Sequence, residues 1–177
     1  DWSPDGRFLL YNEEDPETFR NLWVLPLDGD RKPTVFLRTN FQEHRGQFSP
    51  DGRFVAYVSN EPGQHEILVR PFPVSDDQWQ ISAGGGIQPR WSPDGKELYY
   101  IAPDGRLMAT TITVKNGAIE AGTPRALFQT RIPGGGTQAY TRPQYDASPD
   151  GRFLINTTVD ESATLPITLI LNWKPQP

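Results

Sequence analysis

The chain has no Cys and a single Met among its 177 residues. Without Cys there is neither a disulfide framework nor a thiolate metal site, although that absence fits any compartment. Histidine is nearly as scarce, with only His44 and His65. A zinc site built on them would need one or two carboxylates to converge as well, and the two read as lying in different repeat units, so no metal and no cofactor is expected. No apolar run approaches the roughly 20 residues a helix needs to span a bilayer, which excludes helical membrane insertion by this segment. Basic charge is not in excess either: 17 Lys and Arg face 22 Asp and Glu, for a net charge of −5. Affinity for nucleic acid rests largely on neutralising phosphates, so no nucleic-acid partner is expected. No window shows a sustained 3.6-residue hydrophobic period, and the composition is not that of a disordered chain.

What the chain has is a repeat. Ser-Pro-Asp-Gly occurs at Ser3–Gly6, Ser49–Gly52, Ser92–Gly95 and Ser148–Gly151, at spacings of 46, 43 and 56 residues. A period of roughly 40–45 residues is that of a four-stranded propeller blade. Pro presets φ near −65°, Asp and Ser can bond nearby backbone N–H groups, and Gly accepts the left-handed conformation that closes a type I turn with a G1 bulge. An aromatic residue precedes three of the turns (Trp2, Phe48, Trp91), and an apolar run follows each. In the second unit both parities of that run are apolar, Phe54, Ala56 and Val58 against Val55 and Tyr57, as in a strand buried on both faces.

Further strands are read at Asn21–Leu25 and Thr34–Leu37, at Glu66–Arg70 and Gln78–Ile81, and at Arg106–Ile112 and Arg125–Phe128, with a hairpin turn at Asn116-Gly117. The fold class expected is all-β, a β-propeller of about four blades of antiparallel four-stranded sheet, with approximate blades 1–40, 41–83, 84–133 and 134–177. The first and last are incomplete. The chain opens inside a repeat, so it is expected to be part of a larger propeller. The strong strand at Pro166–Trp173 would present an edge suited to self-association.

The pattern Trp/Phe-Ser-Pro-Asp-Gly-Arg/Lys with its apolar run resembles the WD40-like repeat of TolB-type β-propellers, and the resemblance spans all four units. The fourth departs, with Asp146-Ala147 where the others carry an aromatic. Val69–Pro73, Gln78–Ser82, Gly84–Trp91 and Leu169–Trp173 are also similar to the C-terminal propeller of bacterial multidomain Ser/Thr protein kinases. That resemblance implies a sensory or scaffolding part, placed outside the cytoplasm. No Gly-rich phosphate loop, His-Arg-Asp or Asp-Phe-Gly lies in the chain itself. An alternative is the substrate-gating propeller of a peptidase or hydrolase whose catalytic domain lies elsewhere. No Ser here has the Gly-x-Ser-x-Gly setting of such a nucleophile, so no catalytic residue is assigned.

Several features are weighed as sites. Gly84–Gly86 and Gly134–Gly136 lack the Lys-Ser/Thr and helix of a phosphate cradle and read as flexible connections between blades. Glu13–Asp15, Asp28/Asp30 and Asp76-Asp77 read as solvated loop charge without the spacing of a calcium loop. The strongest candidates are the polar residues leading into the innermost strands: Arg45 and Gln47, Gln88 and Arg90, Arg142 and Gln144. In a propeller these surround a central channel, whose mouth commonly binds ligands. Three Arg there would suit a carboxylate, a phosphate or an acidic peptide end. A protein or peptide partner is therefore expected. The simpler alternative is that these residues satisfy backbone groups between blades.

Overall fold

A computed structural model of the chain describes residues 1–17, 19–137 and 142–157. All regular structure among them is β. The first sheet holds β1 (Phe8–Asp15), β2 (Phe19–Pro26) and β3 (Thr34–Leu37), in that order. The second holds β4 (Glu43–Phe48), β5 (Phe54–Ser59), β6 (Glu66–Pro71) and β7 (Trp79–Gln80). The third holds β8 (Ile87–Trp91), β9 (Glu97–Ile101), β10 (Arg106–Lys115), β11 (Ala118–Ala121) and β12 (Arg125–Gln129). The fourth pairs β13 (Tyr145–Ala147) with β14 (Phe153–Ile155). Every pairing is antiparallel. The strand expected at Pro166–Trp173 lies outside the described residues.

The first three Ser-Pro-Asp-Gly turns are built alike. In the first, Gly6 N–H donates to Ser3 C=O at 2.9 Å, and Gly6 takes φ 71°. The Ser3 hydroxyl donates to Asp5 Oδ1 (2.6 Å) and accepts the Phe8 N–H (2.9 Å), while Asp5 Oδ1 also takes the Arg7 N–H (3.1 Å). Ser49–Phe54 and Ser92–Glu97 repeat these bonds. Each polar group in the corner is used, which is why the tetrapeptide recurs. The same hydroxyl bond holds the Asp5 and Asp94 carboxyls below their ordinary pKa, with the backbone N–H bond adding to it.

The alternation along β5 is realised as two cores. Phe54, Ala56 and Val58 pack with Ile67 and Val69 against Trp91, Leu98 and Tyr100 of the third sheet. Val55, Tyr57 and Leu68 pack against Leu10, Leu22, Val24 and Phe36 of the first. Stacking is close: a Cβ on Gly46 would stand 2.6 Å from Leu10 Cδ2 and 3.0 Å from Leu22 Cδ2. A third core joins Tyr99, Ile101 and Leu107 to Tyr145, Phe153 and Ile155. Apolar faces meeting sheet on sheet in succession are the packing of a propeller.

Two departures stand out. β10 runs on to Lys115, so its first half pairs with β12 and its last residues with β11 across the Asn116-Gly117 turn, both of whose residues have positive φ. The fourth sheet is slipped by one residue. Trp2, Phe48 and Trp91 stand opposite Leu9, Val55 and Leu98, whereas Ala147 stands opposite Phe153. The Ser148 N–H accordingly reaches the Arg152 C=O, one residue short of the pattern. A one-residue slip exchanges the faces of a strand: Phe153 and Ile155 turn to the core and Leu154 is left 79% exposed.

Candidate functional site

Inner strands β4 and β8 each carry a bulge, between His44 and Gln47 and between Ile87 and Arg90. At equivalent positions in them, Arg45 (φ 59°) and Gln88 (φ 57°) occupy the left-handed region, uncommon for residues with a Cβ. Bulges re-aim side chains, and here they bring four of the six sequence candidates together. Arg45, Gln47, Gln88 and Arg90 line one cleft of about 490 Å³, with Asp1, Asn12, Pro143 and Asp146 on its walls and Leu10, Leu22 and Gly46 among its lining. Arg142 is exposed beside Pro143 and is near enough to add to the repulsion felt at Arg45.

The glutamines act between sheets. Gln47 Oε1 accepts the Trp91 N–H (2.9 Å), and its carbonyl accepts the Trp91 indole N–H (3.3 Å). Gln88, only 1% exposed, accepts the Gln144 N–H at 2.8 Å, and its carbonyl takes the Tyr145 hydroxyl at 2.8 Å. Gln144 donates to Pro133 C=O at 3.1 Å. Asp1 and Asn12, which the sequence did not single out, do the same work: Asp1 Oδ2 takes the Phe48 N–H (2.8 Å), and Asn12 Oδ1 takes the Arg45 N–H (3.3 Å).

The arginines differ. Arg90 has a side chain 19% exposed, donates to Pro89 C=O (3.1 Å), and has Asp146 at 3.8 Å. Arg45 is half-buried and held below the ordinary guanidinium value, first by burial and then by Arg20, Arg90 and Arg142.

Other candidates resolve differently from expectation. His44 lies in β4 and His65 immediately before β6, their rings edge to face with centroids 5.6 Å apart. His44 is buried, and burial, aided by His65, Arg45 and Arg20, drives its pKa down to about 3. Beside it, burial raises Glu43 to about 7, with Glu61 adding repulsion against the Thr39 hydroxyl bond. Among the described residues no group of three or more His, Cys, Asp or Glu is placed to hold a metal.

Gly84–Gly86 is a bonded corner, where a flexible connection was expected. Gly85 N–H donates to buried Glu66 (2.8 Å), and Gly86 N–H to His65 C=O (2.8 Å). Glu13–Asp15 ends β1 and is not a loop. There Arg20 pairs with Glu14 (3.0 Å) and Arg38 with Asp15 (2.7 Å), beside a second cleft lined by Phe19 and Gln42.

No family model matches this sequence. Among curated proteins, the Tol-Pal system protein TolB of Alcanivorax borkumensis is 34% identical over 94 residues, which cover 51% of this chain and 21% of that protein. Among solved structures, a protein of Agrobacterium tumefaciens assigned as a TolB superposes with a TM-score of 0.58 at 21% identity, over 86% of this chain and 54% of that one. A protein of Bacteroides uniformis assigned as a 6-phosphogluconolactonase gives 0.56 at 17% identity, over 89% and 46%. The chain therefore spans about a fifth of the curated relative and about half of each structure. The shared property is the fold, a TolB-like β-propeller.

Proposed function

We propose that the chain is a non-catalytic binding module that receives a protein or peptide at the inner-strand end of its sheets, through Arg45, Arg90 and Arg142. The observation that carries this reading is the division of labour among the six polar residues. Gln47 and Gln88 are spent on tying neighbouring sheets together and Gln144 on the Pro133 carbonyl, whereas Arg45 and Arg90 line a cleft large enough for a side chain or chain end. A rigid stack of sheets presenting such a cleft binds by complementarity and needs no cofactor. The partial identity to a protein named for the Tol-Pal system favours a partner that is itself a protein. In a larger protein, such as a bacterial Ser/Thr kinase acting outside the cytoplasm through this part, the module would sense or scaffold. The sequence similarity at Val69–Pro73 and Gly84–Trp91 supports that setting.

Fluorescence anisotropy with labelled acidic, basic and uncharged extended peptides tests the reading. The acidic peptide should bind with a Kd below about 1 mM, or roughly −4 kcal/mol, and weaken as salt rises. Changing Arg45, Arg90 and Arg142 together to Gln should cost at least tenfold. Undiminished binding by the triple variant, or no binding by any peptide, would reject it.

A further inference from the structure

The first sheet carries an apolar face that belongs to none of the three cores. Trp2 stands opposite Leu9, Leu9 opposite Leu25, Tyr11 opposite Trp23, and Trp23 opposite Val35. Residues paired across strands, or two apart along one, share a face, so these six form a single surface. Trp2 is 62% exposed and Val35 42%. In the other sheets the same positions are covered. Phe48, Val55 and Tyr57 pack against the first sheet, and Trp91, Leu98 and Tyr100 against the second. An open face of this composition marks an interaction site.

Two further features of the first sheet lack the neighbour that their counterparts have. A Cβ on Gly52 would meet Pro4 Cδ at 3.6 Å, and one on Gly95 would meet Pro50 Cδ at 3.7 Å, so each corner stacks on the next. Gly6 has nothing within 4 Å, and neither has Gly151 of the slipped sheet. The Phe48 N–H is accepted by Asp1 (2.8 Å) and the Trp91 N–H by Gln47 (2.9 Å). The Trp2 N–H has no acceptor among the described residues.

The occupant that fits is a sheet of the same build, with an outward apolar residue, a side-chain acceptor and a corner proline. The fourth sheet has all three. Leu154 stands opposite Asp146 on the face turned away from the third core. Leu154 is 79% exposed and the Asp146 side chain 77%. Asp146 holds the sequence position of Asp1 and Gln47, and Pro149 that of Pro4 and Pro50. Both end faces are exposed in the same molecule, so the fourth sheet does not cover its own first. Another copy's can. Asn12, Gln47, Arg90 and Asp146, one from each sheet, line a common cleft, so the stack bends around one centre. Two such arcs joined end to end make a ring of eight sheets, within the roughly 4–8 blades of closed propellers.

We propose that the chain pairs head to tail with a second copy, the fourth sheet of each seated on the first sheet of the other. Leu154 of one copy then packs on the Leu9 and Tyr11 face of its partner, Asp146 accepts the Trp2 N–H, and Pro149 covers Gly6. A contact between unlike faces closes only if the turn per copy is right, here half a circle. The pairing does not rest on the peptide-binding reading, and either can fail without the other.

Light scattering of the full 177-residue chain as it leaves a sizing column tests the proposal. The expected mass is that of two chains, falling to one on dilution. Leu154→Arg and Val35→Arg alter one face each, at exposed side chains. Each should elute as a single chain where wild type elutes as two, with near-UV circular dichroism unchanged. Mixing the two variants should bring pairs back in part, because the intact fourth sheet of Val35→Arg can meet the intact first sheet of Leu154→Arg. Should Val35→Arg lose its circular dichroism, Trp2→Glu replaces it on the same face. A single-chain mass for wild type at every concentration overturns the proposal, as do pairs that survive both substitutions. Loss of pairing in Val35→Arg alone would mean first sheet against first sheet, and a mixture that stays single-chained removes the head-to-tail contact. Masses above two chains, which an unclosed contact gives, overturn the closed pair.

Discussion

Glu66→Ala is expected to destabilise the fold by about 3 kcal/mol or more, since each buried donor stranded by such a change costs about 1–3 kcal/mol. Glu66 is 2% exposed and accepts from Gln64 Nε2 (2.7 Å), Gly85 N–H (2.8 Å) and the Ser82 hydroxyl. That hydroxyl in turn accepts the Ile67 N–H at 2.8 Å. Removing the carboxyl strands the Gly85 and Ser82 donors where little water can reach them, and it loosens the corner that leads into β8. Space there is tight, with a Cβ on Gly86 falling 2.7 Å from Ser82 Oγ. Urea titrations of the wild type, Glu66→Ala and Glu66→Gln measure the effect. Gln keeps an acceptor and should fall between the other two. An Ala variant with an unchanged midpoint would remove Glu66 from any structural role.

The second large effect concerns pH. A carboxyl raised to about 7 in the folded state, from an ordinary value near 4.5, binds protons more tightly folded than unfolded. Its contribution is fully present below about pH 4.5 and is lost as pH rises through about 7. His44 runs the other way. With a folded value of about 3 against 6.5, its contribution is present above about 6.5 and is lost as pH falls toward 3. Between those limits the two neighbours largely cancel in the wild type. Glu43→Gln removes one arm, so between pH 5 and pH 8 the variant should gain on the order of 2–3 kcal/mol relative to wild type. Urea midpoints for both proteins at the two pH values decide it. Parallel curves would mean that the Glu43 carboxyl does not feel its burial.

Much of the fold was legible in the sequence, because the informative bonds are local. Ser3, Asp5, Gly6 and Phe8 complete a corner within six residues, so its chemistry repeats as a string. Strand faces were equally plain, since apolar residues at both parities of Phe54–Val58 leave no polar face. The candidate site was found by offset from the same string, and four of its six residues share a cleft. What was missed is non-local. Glu66 meets Ser82 and Gly85 across 16 and 19 residues, and nothing near Glu66 signals them. The histidines read as lying in different units, yet His65 stands just before β6, which pairs through β5 with the strand that carries His44. The slip of the fourth sheet hangs on the residue before its turn. Ala147 is too small to fill the buried place that Phe48 and Trp91 take, and the Arg90 side chain cannot accept its N–H.

The side-chain acceptors that join the sheets have a direction. Asp1 and Asn12 serve N–H groups of β4, Gln47 serves one in β8, and Gln88 serves Gln144, the residue just before β13. What passes backward goes to carbonyls, from the Trp91 indole and the Tyr145 hydroxyl. An amide hydrogen has one bond to lose, whereas a carbonyl oxygen has a second lone pair and is more often tolerated without a partner. Damage therefore travels unequally along the stack. Trimming from the carboxyl end leaves each remaining sheet with its amides answered, while trimming from the amino end strands those of the next sheet in line.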